Sequence, residues 1–352
     1  MNWSKFSLMC FAIALLAHCA SIYAQSPPRP PVFIGENLEF TESNYDLAAA
    51  MAEVPFNASL PVAPAITSEA VSTTEAEIVA SLAVDGRRTI VAPGSYSLGS
   101  ISIGGRDKHV VLQEGVTLSV GSFNLNGSRI WIEGGIFTAT DRLNVFGGSD
   151  IRIEGVSYTN ANGSGIQINS SSRVLFLSSA ISSFESACFI RTDSGGTYDI
   201  VFANSNIQAN TTVINGWAMR WSTGVERTVV IDSRLASSQN VPVRYERTQV
   251  DGFFARNQIE SSVNQSFRTA FDNDTVENLW FVDNAIYVTS GNTGAVAVAP
   301  YPTVRNLTAT GNTHYGPGTV SNLGFPTGQP TWTTSNNNSV VASNTPPAWE
   351  MR

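Results

Sequence analysis

The sequence predicts an all-β fold, a single-stranded parallel β-helix of about nine coils that a short helix caps at its N-terminal end. Two observations predict it. Short apolar strands recur every twenty-odd residues from about Ile101 to about His314, and turns rich in Gly, Asn and Ser separate them without an intervening helix. A leucine-rich repeat has a comparable length, but its leucine lattice is missing.

One strand of each repeat can be aligned by its apolar alternation. The aligned strands start at Val110, Ile130, Ile151, Val174, Ile200, Val229, Phe253, Leu279 and Leu307. Coils that stack at the ordinary strand spacing of about 4.8 Å bring equivalent residues into rows along the axis. Alternate side chains then enter the core, and the others face outward.

The first 24 residues predict a secretory signal peptide. Lys5 precedes an apolar run too short to span a bilayer, and Ala24 offers a small residue for cleavage. A lipid anchor on Cys19 is less favoured, because His18 stands where a lipoprotein signal needs a small residue. We therefore expect a secreted or periplasmic protein without an integral membrane segment.

The remaining chain divides into three predicted parts. Residues 25–72 form a Pro-rich linker and an N-terminal extension, and residues 73–316 form the capping helix and the β-helix. The helix begins near Thr73 with a threonine N-cap and glutamates in its first turn. Residues 317–352 are rich in Gly, Pro and Asn, which predicts an irregular tail.

The repeat resembles the right-handed parallel β-helix of the pectin-lyase type over roughly residues 86–316. The resemblance lies in the stacked strands and in the preceding segment EAEIVASLAV, which suits the helix that plugs the core in that family. It implies the fold and, more weakly, action on polysaccharides. The GHG and paired-aspartate motifs of polygalacturonases are missing from the sequence.

The net charge and the few cysteines and histidines argue against several classes of function. The net charge of -8 argues against non-specific nucleic-acid binding. After cleavage at Ala24, Cys188 is the one remaining cysteine, and its alternating neighbours predict a small buried hydrophobe. The two remaining histidines, His109 and His314, lie far apart in the sequence, so we expect neither a metal site nor a cofactor.

Arginines recur at one position of the repeat. Aligning the strands LNV, IQI, IRT, MRW, VRY and FRT, and then AVA, places in one row Asn144, Gln167, Arg191, Arg220, Arg244, Arg268 and Val296. The flanking residues are mostly apolar, which predicts that the row faces solvent. We expect Gln167, Arg191, Arg220, Arg244 and Arg268 to form a substrate-binding strip.

Such a strip has an electrostatic cost. Two unit charges about 4.8 Å apart repel by roughly 1 kcal/mol in bulk water and by several times that at a lower effective dielectric. Compensation could come from acids two residues further along, where Asp193 and Glu246 could pair with Arg191 and Arg244. It could equally come from an anionic ligand that meets one guanidinium per coil.

The same residues permit a catalytic interpretation. Asp193 and Glu246 lie two coils apart, about 9–10 Å along the axis, which suits an inverting glycoside hydrolase. Alternatively Arg220 and Arg244 could neutralise a uronate for β-elimination, and in some lyases of this fold an arginine or a lysine acts as the base. Tyr245 is a second candidate base on the condition that it reaches the surface. Pairing of these carboxylates with arginine, without catalysis, is the favoured alternative.

A second set of apolar residues occupies the middle of the other aligned strand: Trp131, Leu175, Val201, Val230, Phe254 and Trp280. If these residues face outward, they form a stripe that could stack against sugars or a partner. We favour a structural use in which a terminal segment covers the stripe, and a one-residue shift in register would bury the residues instead.

These observations lead to two hypotheses. The preferred one is a secreted β-helix that binds an acidic polysaccharide or another polyanionic glycan along the arginine row, with cleavage by a lyase or a hydrolase left open. The alternative is a non-catalytic surface, adhesion or structural protein. The sequence predicts neither the sugar nor the oligomeric state.

Overall fold

The computed structural model shows a right-handed parallel β-helix of about eight turns, which confirms the predicted fold class. Incomplete coils at both ends add further strands to the first face. Each full coil has three faces, and every strand pairs in parallel with its equivalents in neighbouring coils. The structure describes residues 31–34, 39–42, 45–210, 216–222, 224–238, 241–245, 248–261, 265–269, 276–288, 296–299, 304–316, 334–343 and 345–352.

The first face is a twelve-stranded parallel sheet. A separate antiparallel pair, Pro31–Ile34 (β1) and Glu39–Glu42 (β2), precedes it in the chain. The strands of the first face are Ser68–Ser72 (β3), Arg87–Val91 (β4), Arg106–Leu112 (β6), Ser128–Glu133 (β8), Ser149–Glu154 (β11), Ser172–Leu177 (β14), Thr197–Ala203 (β17), Val225–Ile231 (β20), Gln249–Ala255 (β23), Val276–Val282 (β26), Val304–Thr310 (β29) and Thr334–Asn336 (β31).

The second and third faces share two long strands, Gly94–Ile103 (β5) and Val116–Leu125 (β7), and separate in later coils. The second face continues with Ile136–Ala139 (β9), Ser157–Asn160 (β12), Ala180–Ser183 (β15), Asn206–Ala209 (β18), Arg234–Ser237 (β21), Gln258–Ser261 (β24), Ala285–Val288 (β27), Thr313–Gly316 (β30) and Ser339–Ala342 (β32). The third face continues with Leu143–Phe146 (β10), Ile166–Asn169 (β13), Cys188–Arg191 (β16), Met219–Trp221 (β19), Val243–Tyr245 (β22), Gln265–Thr269 (β25) and Val296–Ala299 (β28).

The observed register agrees with most of the aligned strand starts. Ile130, Ile151, Val174, Ile200, Leu279 and Leu307 belong to one buried row. The other three starts are shifted, because Lys108, Thr228 and Gly252 occupy that row in place of Val110, Val229 and Phe253. A row that admits a lysine, a threonine and a glycine breaks the apolar pattern from which the register was predicted.

Gly252 stands in this row because aromatic side chains fill the space beside it. A Cβ at Gly252 would lie 2.6 Å from the Tyr245 hydroxyl oxygen and 2.8 Å from Leu279 Cδ1. Tyr245 packs in the core against Trp221 and Phe254, with ring centroids 4.8 Å and 6.3 Å away. Because Gly252 has no side chain, the Tyr245 ring of the third face can occupy the space beside it.

Gly252→Ala is expected to destabilise the fold by about 1–3 kcal/mol, because the added methyl group overpacks the core. Chemical denaturation followed by circular dichroism measures the change. Gly163→Ala is the matched control, since its Cβ would meet Asn160 Nδ2 at an ordinary 3.7 Å. Equal stabilities for the two variants would contradict the packing argument.

Two polar ladders connect the coils. At the corner where the first-face strands begin, the left-handed positions with φ of 51–59° are Asp107, Arg129, Asp150, Arg173, Asp199, Arg227, Asp251, Asn278 and Asn306. Arg129, Arg173 and Arg227 each bind the aspartate of the preceding coil, with Nε–Oδ1 distances of 2.5, 2.5 and 2.6 Å. We call this row the aspartate–arginine ladder.

The second ladder is buried at the opposite end of the same strands. Its members are Ser179, Ser205, Ser233, Asn257, Asn284, Asn312 and the partly buried Asn338, and the backbone N–H of each member up to Asn312 donates to the side chain of the next. The Asn284 amide, for example, accepts from the Asn257 backbone N–H at 2.9 Å and donates to the Phe254 carbonyl at 2.9 Å. The asparagine side chains thus provide hydrogen-bond partners for backbone N–H and C=O groups at the turn where the first-face strands end.

A helix closes the N-terminal end of the core, as the sequence predicts. Helix α2 spans Glu75–Leu82, after a shorter helix α1 at Leu47–Met51, and its N-cap is Thr74 rather than Thr73. Thr74 and Glu77 form a capping box, and Ile78 and Leu82 are buried in the main core. The strand β3 lies before the helix, so the β-structure begins inside the predicted extension.

Residues 45–67 form a strap that covers the outer side of the first face. Tyr45 and Ala50 pack with Leu175, Val201 and other outward side chains in a second apolar cluster. Further along, the backbone N–H groups of Val62 and Ala65 donate to the carboxylates of the aspartate–arginine ladder. The strap explains how a sheet that is apolar on both sides avoids exposing one of them.

The predicted outer stripe is therefore covered over much of its length. Leu175, Val201 and Trp280 do face outward, and the Trp280 ring packs 5.7 Å from the Phe56 ring of the strap. Val230 and Phe254 instead point into the main core, and Val229 and Phe253 replace them in the stripe. The cause is the same one-residue shift that places Thr228 and Gly252 in the buried row. Trp131, at the N-terminal end of the stripe, stays partly exposed with Arg152 over its ring.

The end of the chain differs from the irregular tail that the composition predicts. Strands β31 and β32 extend the first and second faces by another coil, while residues 317–333 lie outside the described residues. The final residues return to the middle of the first face. There the Arg352 backbone N–H donates to Asn204 Oδ1 at 2.7 Å, and Met351 is buried.

Candidate functional site

On the third face, one position of each successive strand aligns into a continuous backbone row. The backbone register aligns Asn124, Asn144, Gln167, Phe189, Arg220, Arg244, Arg268 and Ala299. The flanking side chains, such as Met219 and Val243, are fully buried. The alternation that predicted this row therefore holds, and Arg220, Arg244 and Arg268 occupy it as expected.

Arg191 does not belong to the row. Phe189 takes the predicted place, and Arg191 aligns with Asn169, two residues further along the strand. A shift of two residues preserves the inside–outside alternation, so the sequence pattern cannot detect it. Val296 is displaced as well, because Ala299 is the residue aligned with Arg268. The observed arginine row is one coil shorter than the predicted one.

Aromatic rings accompany the arginines. The guanidinium carbon of Arg220 lies 4.7 Å from the Phe189 ring centroid and 4.8 Å from the Trp217 ring centroid. The guanidinium carbon of Arg244 lies 4.7 Å from the same Trp217 ring. Such contacts contribute about 0.5–2 kcal/mol each, which offsets a repulsion of roughly 1 kcal/mol between adjacent cations in water. Trp217 precedes its strand, where the repeat pattern gives no signal for it.

Arg191 and Asp193 form the predicted ion pair, with Nη2 and Oδ2 2.5 Å apart. Asn169 Nδ2 also donates to Asp193 Oδ2 at 2.6 Å, so this carboxylate is held beyond the end of strand β16. Glu246, its proposed catalytic partner, lies outside the described residues, as does the side chain of Arg268. The predicted separation of the two carboxylates stays a prediction.

Tyr245 is a wrong prediction as a surface base. Its side chain is 2 % exposed and packs within the core, because residues next to the outward Arg244 must point inward. Burial raises the pKa of the Tyr245 phenol above its ordinary value. The Tyr245 ring packs in the core beneath the outward row of the third face, so a substrate on that face cannot reach it.

Cys188 is buried on the inner side of the same face, as its neighbours predict. Burial raises the pKa of the Cys188 thiol well above its usual range. A thiol that stays protonated and inaccessible packs as a hydrophobe and is a poor nucleophile.

The N-terminal coils of the third face form an open groove with a volume of about 410 Å³. Its lining is dominated by amides and includes Asn124, Asn144, Gln167 and the ring of Phe146. Asn144 Nδ2 donates to Asn124 Oδ1 at 2.9 Å, and Gln167 Oε1 accepts from Arg142 Nη1 at 2.5 Å. The sequence predicted Gln167 as a binding residue, but it gave no indication that a groove forms around it.

Within the described ranges, no three His, Cys, Asp or Glu side chains are grouped closely enough to hold a metal ion. None of the helices in that part of the chain has the length and apolar character that a bilayer-spanning segment requires. No protein-family model matches the chain, and no curated protein matches it.

Proposed function

We propose that the protein is exported and binds an acidic polysaccharide along the third face. One observation carries the proposal: Arg220 and Arg244 are adjacent in an outward row, on a protein whose net charge is -8. Arginine binds carboxylate and sulfate-like oxyanions through planar, paired donors. A polymer with an anionic group on successive sugars can meet one guanidinium per coil.

The aromatic rings favour the same ligand class. Phe189 is partly exposed between the amides and the arginines, and Trp217 is buried beneath Arg220 and Arg244. Rings that contact a guanidinium hold it in place and reduce the entropy lost when it binds an anion. A row that is pre-ordered in this way suits a linear ligand better than a diffuse cationic surface does.

The fold supports this proposal as an analogy only. We propose that the chain is a β-helix of the pectin-lyase type that binds its polymer on an outer face. Lyase or inverting hydrolase activity would be an additional property, for which Arg220, Arg244, Asp193 and Glu246 remain the candidate residues.

The double variant Arg220→Ala/Arg244→Ala is expected to bind its polyanion at least about tenfold more weakly, since each lost charge-assisted hydrogen bond contributes roughly 1.5–3 kcal/mol. Affinity for polygalacturonate, alginate and glycosaminoglycans is measured at several salt concentrations. Arg88→Ala/Arg305→Ala is the matched control, because it removes two exposed arginines from the first face.

Three results would be informative. Weaker binding of the third-face variant alone supports the proposal, and equal binding by both variants contradicts it. Failure of the wild-type protein to bind any of these polymers also overturns it. Analysis of the polymer after incubation separates binding from catalysis, since unsaturated ends indicate a lyase and new saturated reducing ends indicate a hydrolase.

A further inference from the structure

The third face is divided into two chemically different halves. The N-terminal half presents uncharged amides at Asn124, Asn144 and Gln167, and the C-terminal half presents Arg220 and Arg244. Phe189 lies at the boundary between them. A ligand that runs along the whole row therefore meets neutral and cationic groups in separate blocks rather than in alternation.

The amide half is suited to hydroxyl groups. Each amide both donates and accepts hydrogen bonds, as a sugar hydroxyl does, whereas an ionised carboxylate accepts only. Two arginines lie near this groove, and both are already engaged. Arg142 binds Gln167 Oε1 and Asp141, whose Oδ1 lies 3.7 Å from Arg142 Nε. Arg191 aligns with Asn169 of the groove lining and is paired with Asp193. A carboxylate placed in this groove would lose hydration without gaining a free cationic partner.

Phe146 adds an apolar surface to the same half. Its side chain is 54 % exposed, and it follows Asn144 at the next outward position of strand β10. An exposed ring beside amide groups can pack against the C–H face of a sugar while the amides bind its hydroxyls. The groove thus has the composition of a neutral-sugar site.

We infer that the ligand is an acidic polysaccharide in which a neutral stretch adjoins an acidic one. The neutral sugars occupy the amide groove, and the acidic sugars lie over Arg220 and Arg244. This inference rests on the proposed function and specifies its substrate class. It also fixes the polarity of the ligand, since the acidic block lies toward the C-terminal coils.

The test compares each of three uronate-containing polymers, polygalacturonate, alginate and hyaluronate, in a fully ionised form and in a form whose uronates are half methyl-esterified in blocks. The wild-type protein is expected to prefer the half-esterified form of the polymer that it binds. Asn124→Ala/Asn144→Ala is expected to reduce that preference about five- to tenfold, because it removes two neutral hydrogen-bonding groups. Thermal unfolding of the variant controls for its fold.

The outcomes separate the two proposals. If Arg220→Ala/Arg244→Ala weakens binding but the wild-type protein prefers the ionised form, the inference fails and the proposed function stands. The same holds if the asparagine variant keeps the wild-type preference. If the arginine variant binds every form as the wild-type protein does, or if no polymer binds, both are overturned.

Discussion

Asp232→Ala is expected to lower the free energy of unfolding by about 1.5–3 kcal/mol, because it removes charge-assisted hydrogen bonds of a buried carboxylate and leaves the Arg256 guanidinium with Glu53 of the strap as its acidic partner. Asp232 is 5 % exposed, and its two oxygens accept from Arg256 Nε at 2.9 Å and Nη2 at 2.8 Å. It also accepts from the Tyr45 hydroxyl of the strap at 2.8 Å. The Asp232 carboxylate therefore forms hydrogen bonds that link its own coil to the next coil and to the strap.

Urea denaturation of the wild-type and variant proteins measures this loss. Asp193→Ala is the control, since Asp193 is also paired with an arginine but its side chain is 46 % exposed, so we expect a change below about 1 kcal/mol. Proteolysis of the strap should accelerate in the Asp232 variant. Similar destabilisation in both variants would show that the buried position of Asp232 is not what matters.

His314 is expected to make the fold acid-sensitive. The side chain is fully buried on the inner side of strand β30, aligned with Ile286 and Val340, and burial lowers its pKa to about 4. Neither ring nitrogen has a hydrogen-bond partner within the part of the chain that the structure describes. Protonation of the buried His314 ring would place a positive charge in the core without a hydrogen-bond partner.

The sign follows from proton linkage. Below about pH 6.5 the unfolded chain binds a proton at this residue, whereas the folded chain does not bind it until about pH 4. The free energy of unfolding should therefore fall as the pH decreases through this window, by up to about 3 kcal/mol. By contrast, Arg129 lowers the pKa of Asp107 to about 2, so the contribution of Asp107 is lost only below about pH 4.

His314→Leu should remove this part of the pH dependence. Denaturation curves recorded between pH 7 and pH 4 for the wild-type and variant proteins give the two slopes. A flatter profile for the variant supports the assignment. An unchanged slope would assign the acid sensitivity to other groups.

Periodicity alone was sufficient to predict the coil and most of the arginine row. Arg220, Arg244 and Arg268 were placed correctly because 24-residue coils with apolar flanks allow one alignment of those strands. Arg191 was misplaced because a two-residue shift leaves the alternation intact. Tyr245 was wrong as a surface candidate because the alternation that exposes Arg244 also directs its neighbour inward.

The remaining features arise from contacts that repeats do not encode. Trp217 meets the two arginines from a connecting segment, and the strap reaches Asp232 across 187 residues of sequence. The amide groove depends on Asn124, Asn144 and Phe146, which are unremarkable residues until their coils are stacked. Long-range placement, rather than residue type, determines each of these features.

The aspartate–arginine ladder has a consequence for how such a chain can change its length. From Asp107 to Asp251 the sign of the charge reverses at every coil. Duplicating a single coil would set two like charges side by side, whereas duplicating two coils together would preserve every pair. Along this corner, insertions and deletions of two coils should therefore be tolerated better than those of one coil. Selection during evolution should then favour changes by an even number of coils.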